Sequence, residues 1–341
     1  MAVHSPTLLQ IPSGAGGVTY ESLLTTTLMK VLSSNVIQDQ VYDANPLLDW
    51  LRSGDRVKVL DGGERIQIPI MTGKNSTTGS YGGYDLLDTT AQDNLTMAFF
   101  NWKQYSGSIS INGLEMRSNA SSKEKIADLQ ASKIESASMS LVDTLATDVY
   151  TDGAGNGSKN ITGLAAMIET TPGNAAYASV PTANTYWQNK STATVGSAAV
   201  NLVPKLRTLM NDVKQGKGAA ATGADFIITT QAVHEAAEAL IESRVRYAPN
   251  PSGSGAEMSM NGNPVFKGAE IQWSDFCPTQ SVFVLNSNHI MLFVHRDANF
   301  SMAEGGFQRP VNQDAYLAQI LFQGNLACNN RRKLGKLTGV T

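Results

Sequence analysis

The chain has 341 residues, 42% hydrophobic and 16% charged, a globular composition that leaves out the fibrous and disordered classes. Its 26 Lys and Arg stand against 29 Asp and Glu, a formal charge of -3, which argues against a protein held to nucleic acid or an anionic membrane by global charge. Cys277 and Cys328 are too few for a disulfide framework, and no apolar run approaches the roughly 20 residues of a membrane span.

The opening MAVHSPTLLQIPSGAGG lacks the basic start and long apolar run of a signal peptide, so synthesis in a cytoplasm with two buried, reduced thiols is expected. Residues 1 to about 20 carry Gly, Ser and Pro without periodicity and read as an arm. Leu23, Leu24, Leu28, Val31 and Leu32 recur at helical spacing over 21–36. The run Asn45 to Leu51 predicts a short apolar turn or helix, ended by Ser53-Gly54-Asp55.

Residues 56–112 are the most unusual stretch. Ile66, Ile68 and Ile70 alternate with other residues, as a half-buried strand requires. Leu95, Met97 and Phe99 alternate again, Phe100 and Trp102 fall on the opposite phase, and Ile109 and Ile111 close the run. The phase change predicts a bulge or twist. Between the two arms lies a Gly-, Ser- and Thr-rich loop from Met71 to Asp93. Loops of that length inside a compact domain are uncommon and usually functional or disordered. A two-stranded ribbon is marginal alone in water, so its apolar face needs a cover, either its own body or a neighbouring copy.

Ser121 and Glu124 form a capping box ahead of the clearest helix, predicted over about 121–150. Ile126, Leu129, Ile134, Ala137, Leu141, Leu145 and Val149 lie along its apolar stripe. Such a helix is about 45 Å long at 1.5 Å per residue. Asp152-Gly153-Ala154-Gly155-Asn156-Gly157 stops it. Residues 160–195 are loop-rich. A helix over 197–214, a buried strand over 225–230 and a helix over 231–247 follow. Three strands come next, at about 265–273, 281–286 and 289–295, with Asn286-Ser287-Asn288 as a hairpin turn between the last two. A final extended segment runs from Ala315 to about Leu326 and ends in the basic stretch 331–336. The fold class is α+β.

The order of these parts resembles the major capsid proteins of tailed double-stranded DNA bacteriophages, with the Hong Kong 97-type fold. Local wording resembles them too, in Asn160-Ile161-Thr162-Gly163-Leu164 after the long helix and in the strings Gly324 to Arg332 and Gly335 to Val340. The resemblance implies an N-terminal arm over 1–55 and an extended β-hairpin loop over 56–112. It implies a peripheral domain over 113–195 carrying the long spine helix, an axial domain over 196–300, and a return to the peripheral domain over 301–341. It also implies copies assembled as pentamers and hexamers of an icosahedral head around double-stranded DNA, in a virion built in a bacterial cytoplasm. A separate scaffolding protein, or none, is implied, because the chain reaches its extended loop too early to carry a built-in scaffold. A portal protein and a decoration protein are further partners of such shells. Some relatives cross-link a loop lysine to a distant asparagine; Lys74, near the loop tip, reads as an ordinary exposed lysine.

Shell building needs surfaces that reach a neighbour, and interfaces of that kind bury roughly 2,000 Å² or more. Ile66, Ile68, Leu95, Met97, Phe99 and Trp102 are the candidate inter-subunit contacts. Arg331, Arg332, Lys333 and Lys336 form the basic cluster, which reads either as a solvated tail or as a candidate contact with the genome or a neighbour, binding phosphate without base specificity. No catalytic constellation stands out. His4, His234, His289 and His295 form no HExxH; His289 and His295, with Cys277 nearby in sequence, read as a solvated or hydrogen-bonded pair rather than a metal site. Gly153-x-Gly155-x-Gly157 follows a helix instead of a strand and lacks Gly-Lys-Ser/Thr. The expectation is a structural protein, without enzyme activity, cofactor or metal. The alternatives are an encapsulin-like compartment enclosing cargo enzymes, and an α+β enzyme or binding protein with an unrecognised site.

Overall fold

The structure of the protein is a computed structural model describing residues 45–53, 56–118, 129–181, 184–193, 195–214, 223–242, 264–303 and 306–341. The arm read over residues 1 to about 20, the helix expected over 21–36 and the capping box Ser121–Glu124 lie outside the described residues.

Helix α1 (Pro46–Ser53) opens on two local signals. Pro46 occupies the first helical position, where its missing N–H removes nothing. The Asn45 side-chain oxygen accepts from the Leu47 and Leu48 amides at 3.0 and 3.2 Å. Leu47, Leu48 and Leu51 bury one side of the helix. Trp50 stacks on Phe226 with ring centroids 4.8 Å apart.

In chain order the strands are β1 (Val57–Leu60), β2 (Arg65–Met71), β3 (Leu95–Asn101), β4 (Lys103–Asn112), β5 (Lys190–Thr192) and β6 (Phe226–Thr229). They continue with β7 (Val265–Phe266), β8 (Ala269–Trp273), β9 (Ser281–Leu285), β10 (Ile290–Met302), β11 (Ala315–Cys328) and β12 (Gly335–Thr338). Apart from short turns of helix at Gly155–Ser158 and Leu164–Met167, the helices described after α1 are α2 (Gly113–Ser118), α3 (Leu129–Asp148), α4 (Ala198–Val213) and α5 (Gln231–Glu242). β2 and β3 form a two-stranded ribbon; β1-β10-β11-β4 and β5-β12-β9-β6-β8-β7 form the other two sheets.

The chain divides into two compact units. The larger contains Asp43–Ser106, Leu141–Ser301 and Leu321–Thr341 and is built on the six-stranded sheet. β6 and β9 are buried at every position, as central strands covered on both faces must be. One face carries Ile227, Ile271, Val282, Val284 and Leu337, which pack with Leu202, Leu206, Leu209 and Val213 of α4 and Val233 and Ala237 of α5. The opposite face carries Phe226 under Trp50, and Phe283 beside Tyr150.

The smaller unit contains Gly107–Ser140 and Met302–Ile320. Its described part is tied around Asp314, whose carboxylate meets Arg117 at 2.7 Å and Arg309 at 3.0 Å. The Gly113 amide donates to the Asp314 backbone oxygen at 2.9 Å. A side chain at position 113 would push that carboxylate out of its place between the two arginines. Lys133 on α3 donates to Glu115 at 2.7 Å.

The turn Asn286-Ser287-Asn288 departs from expectation. It does not close a hairpin, because β9 and β10 belong to different sheets. The Ser287 amide donates to Asp225 at 2.8 Å and the Asn286 side chain to the Gly223 oxygen at 2.9 Å. Those bonds hold the turn on the segment leading into β6, and β10 runs on to Met302, well past the expected end near 295.

After α3 the chain doubles back through the 160–164 turn. The Leu164 amide donates to the Val149 oxygen at 2.6 Å. A Cβ on Gly163 would overlap the backbone oxygens of Val149 and Thr151, so this turn closes only on glycine.

Candidate assembly surface

β2 and β3 pair antiparallel from Arg65↔Asn101 to Met71↔Leu95. Side chains alternate across a strand, so Ile66, Ile68, Ile70, Thr96, Ala98 and Phe100 share one face. That face is closed by the chain itself: Ile66 is 3% exposed, Ile68 9% and Phe100 3%. Tyr177 meets Phe100 edge-on at 5.6 Å, and the Phe99 amide donates to the Ala178 oxygen at 3.0 Å. Ile66 and Ile68 therefore leave the set of expected inter-copy contacts. The register pairs them with Phe100 and Ala98, and not with the phase of Leu95, Met97 and Phe99.

The other ribbon face carries Gln67, Pro69, Met71, Leu95, Met97 and Phe99. Its outer end lies open, with Met71 74% exposed, Leu95 68% and Met97 43%. Phe99 and Trp102 are half-buried. Met71 and Pro69 did not figure among the expected contacts. The signal was present, since period two from Gln67 reaches both.

The tip between the strands is shaped by side chains bonding their own backbone. Asn75 accepts from the Thr77 amide at 2.9 Å, Asp85 from Gly82 at 2.7 Å and Asp88 from Thr90 at 3.0 Å. The tip exposes Tyr81, Tyr84, Leu86 and Leu87. Lys74 is exposed as well.

At its root the ribbon is fastened within the larger unit. The phase change seen in the sequence falls at Trp102, the single residue between β3 in the ribbon and β4 in the four-stranded sheet. The Trp102 indole donates to the Gly63 oxygen at 2.8 Å and its ring lies edge-on to His295. The buried Asn325 side chain donates to the Asn101 oxygen at 2.8 Å and accepts from the Thr162 amide at 3.0 Å. Just beyond, the Tyr105 hydroxyl donates to Asp148 at 2.8 Å and accepts from the Ile161 amide at 2.7 Å. Burial, with the Asp148 carboxylate beside it, pushes the Tyr105 hydroxyl well above the usual phenol range, so it stays a donor.

The C-terminal basic cluster is not a solvated tail. Arg331 is 2% exposed, and Lys333 and Lys336 are buried too. The Arg331 guanidinium donates to the Met167 oxygen at 2.8 Å, pairs with Glu169 at 3.4 Å and lies 4.7 Å over the Tyr177 ring. Lys336 sits in β12 with its ammonium 5.0 Å from the Phe283 ring centroid. Burial pulls both lysines below their ordinary range. Arg332 is half-buried and has its own partner. Arg331 and Lys336 spend their charge on their own chain, because the 331–338 segment turns inward to complete the six-stranded sheet. The expected contact with a genome or neighbour does not fit Arg331, Lys333 or Lys336.

The remaining candidates are likewise engaged. His289 bonds Asn329 at 2.7 Å, and burial lowers its pKa. Burial pushes the Cys277 and Cys328 thiols up to about 12. Among the described residues no three His, Cys, Asp or Glu side chains group as metal ligands. No described helix is long and apolar enough to cross a membrane. An open cleft of about 520 Å³ lies at Arg309–Asp314, where Arg309 is already paired with Asp314.

No protein-family model matches the sequence, and no curated protein does. Solved structures do match. The chain superposes on a subunit of the Cyanophage A-1(L) capsid with a TM-score of 0.68 at 14% identity, over 92% of this chain and 99% of that one. The fold is the Hong Kong 97-type capsid fold. A subunit of the native GTA particle capsid gives 0.61 at 11% identity, over 92% and 96%. The SrpI encapsulin of Synechococcus elongatus PCC 7942 gives 0.53 at 11% identity, over 89% and 92%.

Proposed function

We propose that the chain is a major capsid protein, a structural subunit that assembles with copies of itself into pentamers and hexamers of an icosahedral phage head enclosing double-stranded DNA. The observation that carries this reading is the unequal ribbon. One face is closed by its own chain, while Met71, Leu95 and Met97 remain open beside an apolar tip. Apolar residues clustered in this way mark an interaction surface. The capsid fold supports a second copy as the occupant. A separate scaffolding protein, a portal and a decoration protein would be partners of such a head, assembled in a bacterial cytoplasm and retained in the virion. Packaged DNA would be held without base contacts. The encapsulin-like alternative has the weaker structural likeness, 0.53 against 0.68.

Electron microscopy of the purified protein tests the proposal. Closed shells are expected, and a discrete small oligomer at high concentration would sink it. Cargo enzymes inside the shells would turn the reading toward a compartment. Met97→Asp places a charge on the open face and is expected to leave folded, soluble subunits that form no particles. Normal shells from Met97→Asp would remove the ribbon face from assembly.

A further inference from the structure

The ribbon root holds a buried polar side chain whose two bonds join three separate segments. Asn325, 1% exposed on β11, donates through Nδ2 to the Asn101 oxygen and accepts through Oδ1 from the Thr162 amide. A weaker contact runs from Nδ2 to the Thr162 hydroxyl at 3.4 Å. The amide orientation is forced, because a backbone oxygen only accepts and a backbone N–H only donates. Asn101 is the last residue of β3, and the chain changes sheets at the next residue. Asn325 therefore grips the ribbon where it leaves the sheet, and fastens it to the turn after α3.

Leverage makes that grip consequential. A seven-residue strand is about 23 Å long at 3.3 Å per residue, so a 10° swing at the root displaces the far end by about 4 Å. Close-packed apolar contacts do not follow a shift of that size. The far end is where Met71 and Leu95 lie exposed. We infer that Asn325 is a positioning residue for assembly: held from the returning β11 strand, the ribbon leaves the unit in a preset direction, which decides where its open face lands on a neighbour. The inference rests on the shell reading above. Trp102, through its bond to the Gly63 oxygen, is a second post on the same root.

Asn325→Leu keeps a side chain of similar size and removes both arms of the grip. Trp102→Phe keeps a ring at its position and removes only the indole donor, so it serves where Asn325→Leu does not fold. Three measurements on the full chain decide the matter: thermal melting, amide hydrogen exchange of the β2–β3 ladder in unassembled subunits, and particle diameters by electron microscopy. The expected result is a melting temperature lowered by several degrees, ladder exchange at least tenfold faster, and broadened or aberrant particle diameters. A residue with only a structural role would move the melting temperature and leave the diameters alone. Parent-like, uniform particles from subunits with a loosened ladder would overturn the inference, as would unchanged exchange in both variants. Failure of the parent itself to form particles would instead sink the shell reading.

Discussion

The six-stranded sheet and the ribbon draw on similar apolar strand residues, and they end differently. β6 and β9 have neighbours on both edges and helices or aromatic rings over both faces, so every residue in them is buried. The ribbon has one partner strand for each of its own and only one covered face. The sheet is finished inside its own chain. The ribbon is finished at its root and left open at its outer end. The proposed function thus assigns stability and assembly to different residues, and substitutions can pull them apart.

The largest effect on stability is expected inside the sheet. Phe283→Ala empties a site of zero exposure, between Tyr150 and Lys336, and should cost about 3–5 kcal/mol in denaturant melts of the subunit. A much smaller loss would mean that the sheet is not the closed core described.

Arg331→Ala should cost somewhat less, about 2–3 kcal/mol, because it leaves the Met167 oxygen unpaired and takes the cation from the half-buried Glu169. The same variant sharpens the comparison from the charge side. A phosphate-binding arginine would lose DNA retention with little change in melting; a buried one loses stability first.

Alkaline pH gives a smaller and graded effect. Cys277 and Cys328 keep their protons up to about 12 in the folded chain, because burial disfavours the thiolate. In the unfolded chain they ionise near their ordinary values. Their contribution to stability is thus complete below about pH 9 and declines between about 9 and 12, by ~1.4 kcal/mol per pH unit for each thiol at most. Lys336, lowered by burial, works in the opposite direction as pH rises toward 10.5. Melts between pH 8 and 11 should show a fall in the parent and a shallower one in a Cys277→Ala, Cys328→Ala double variant. Equal slopes would mean that these thiols titrate alike in both states.

The smallest effect on subunit stability is expected at the open ribbon face. Met97→Asp should change melting by no more than about 0.5 kcal/mol, as exposed positions generally do, while abolishing particles. A large loss of stability would place Met97 in the subunit's own core and erase the contrast between the two regions.

The elements with long, strong periodicity were legible from the chain alone. The stripe Leu202, Leu206, Leu209, Val213 specifies α4, and the unbroken apolar run at 226–229 specifies a strand covered on both faces. The order of parts was enough to resemble a capsid subunit, and the fold bears that resemblance out. The assembly surface was legible only by half. Alternation announced a two-faced ribbon, but Leu95 and Met97 were grouped with Ile66 and Ile68, because period two within each strand does not say which phases face the same way across the pair. Register settles that, and register follows from pairing.

What the sequence determined by itself is the local pattern: helices from apolar spacing, strands from alternation, turns from Gly, Asn and Pro. Tertiary structure alone decided what becomes of a charge or a phase. Arg331 and Lys336 look like a basic tail in one dimension and lie buried in three, because β12 turns inward between β5 and β9 and supplies them with Glu169, a backbone oxygen and two aromatic rings. Burial is a property of the neighbours a side chain acquires, and neighbours more than a hundred residues away leave no mark on the residue itself.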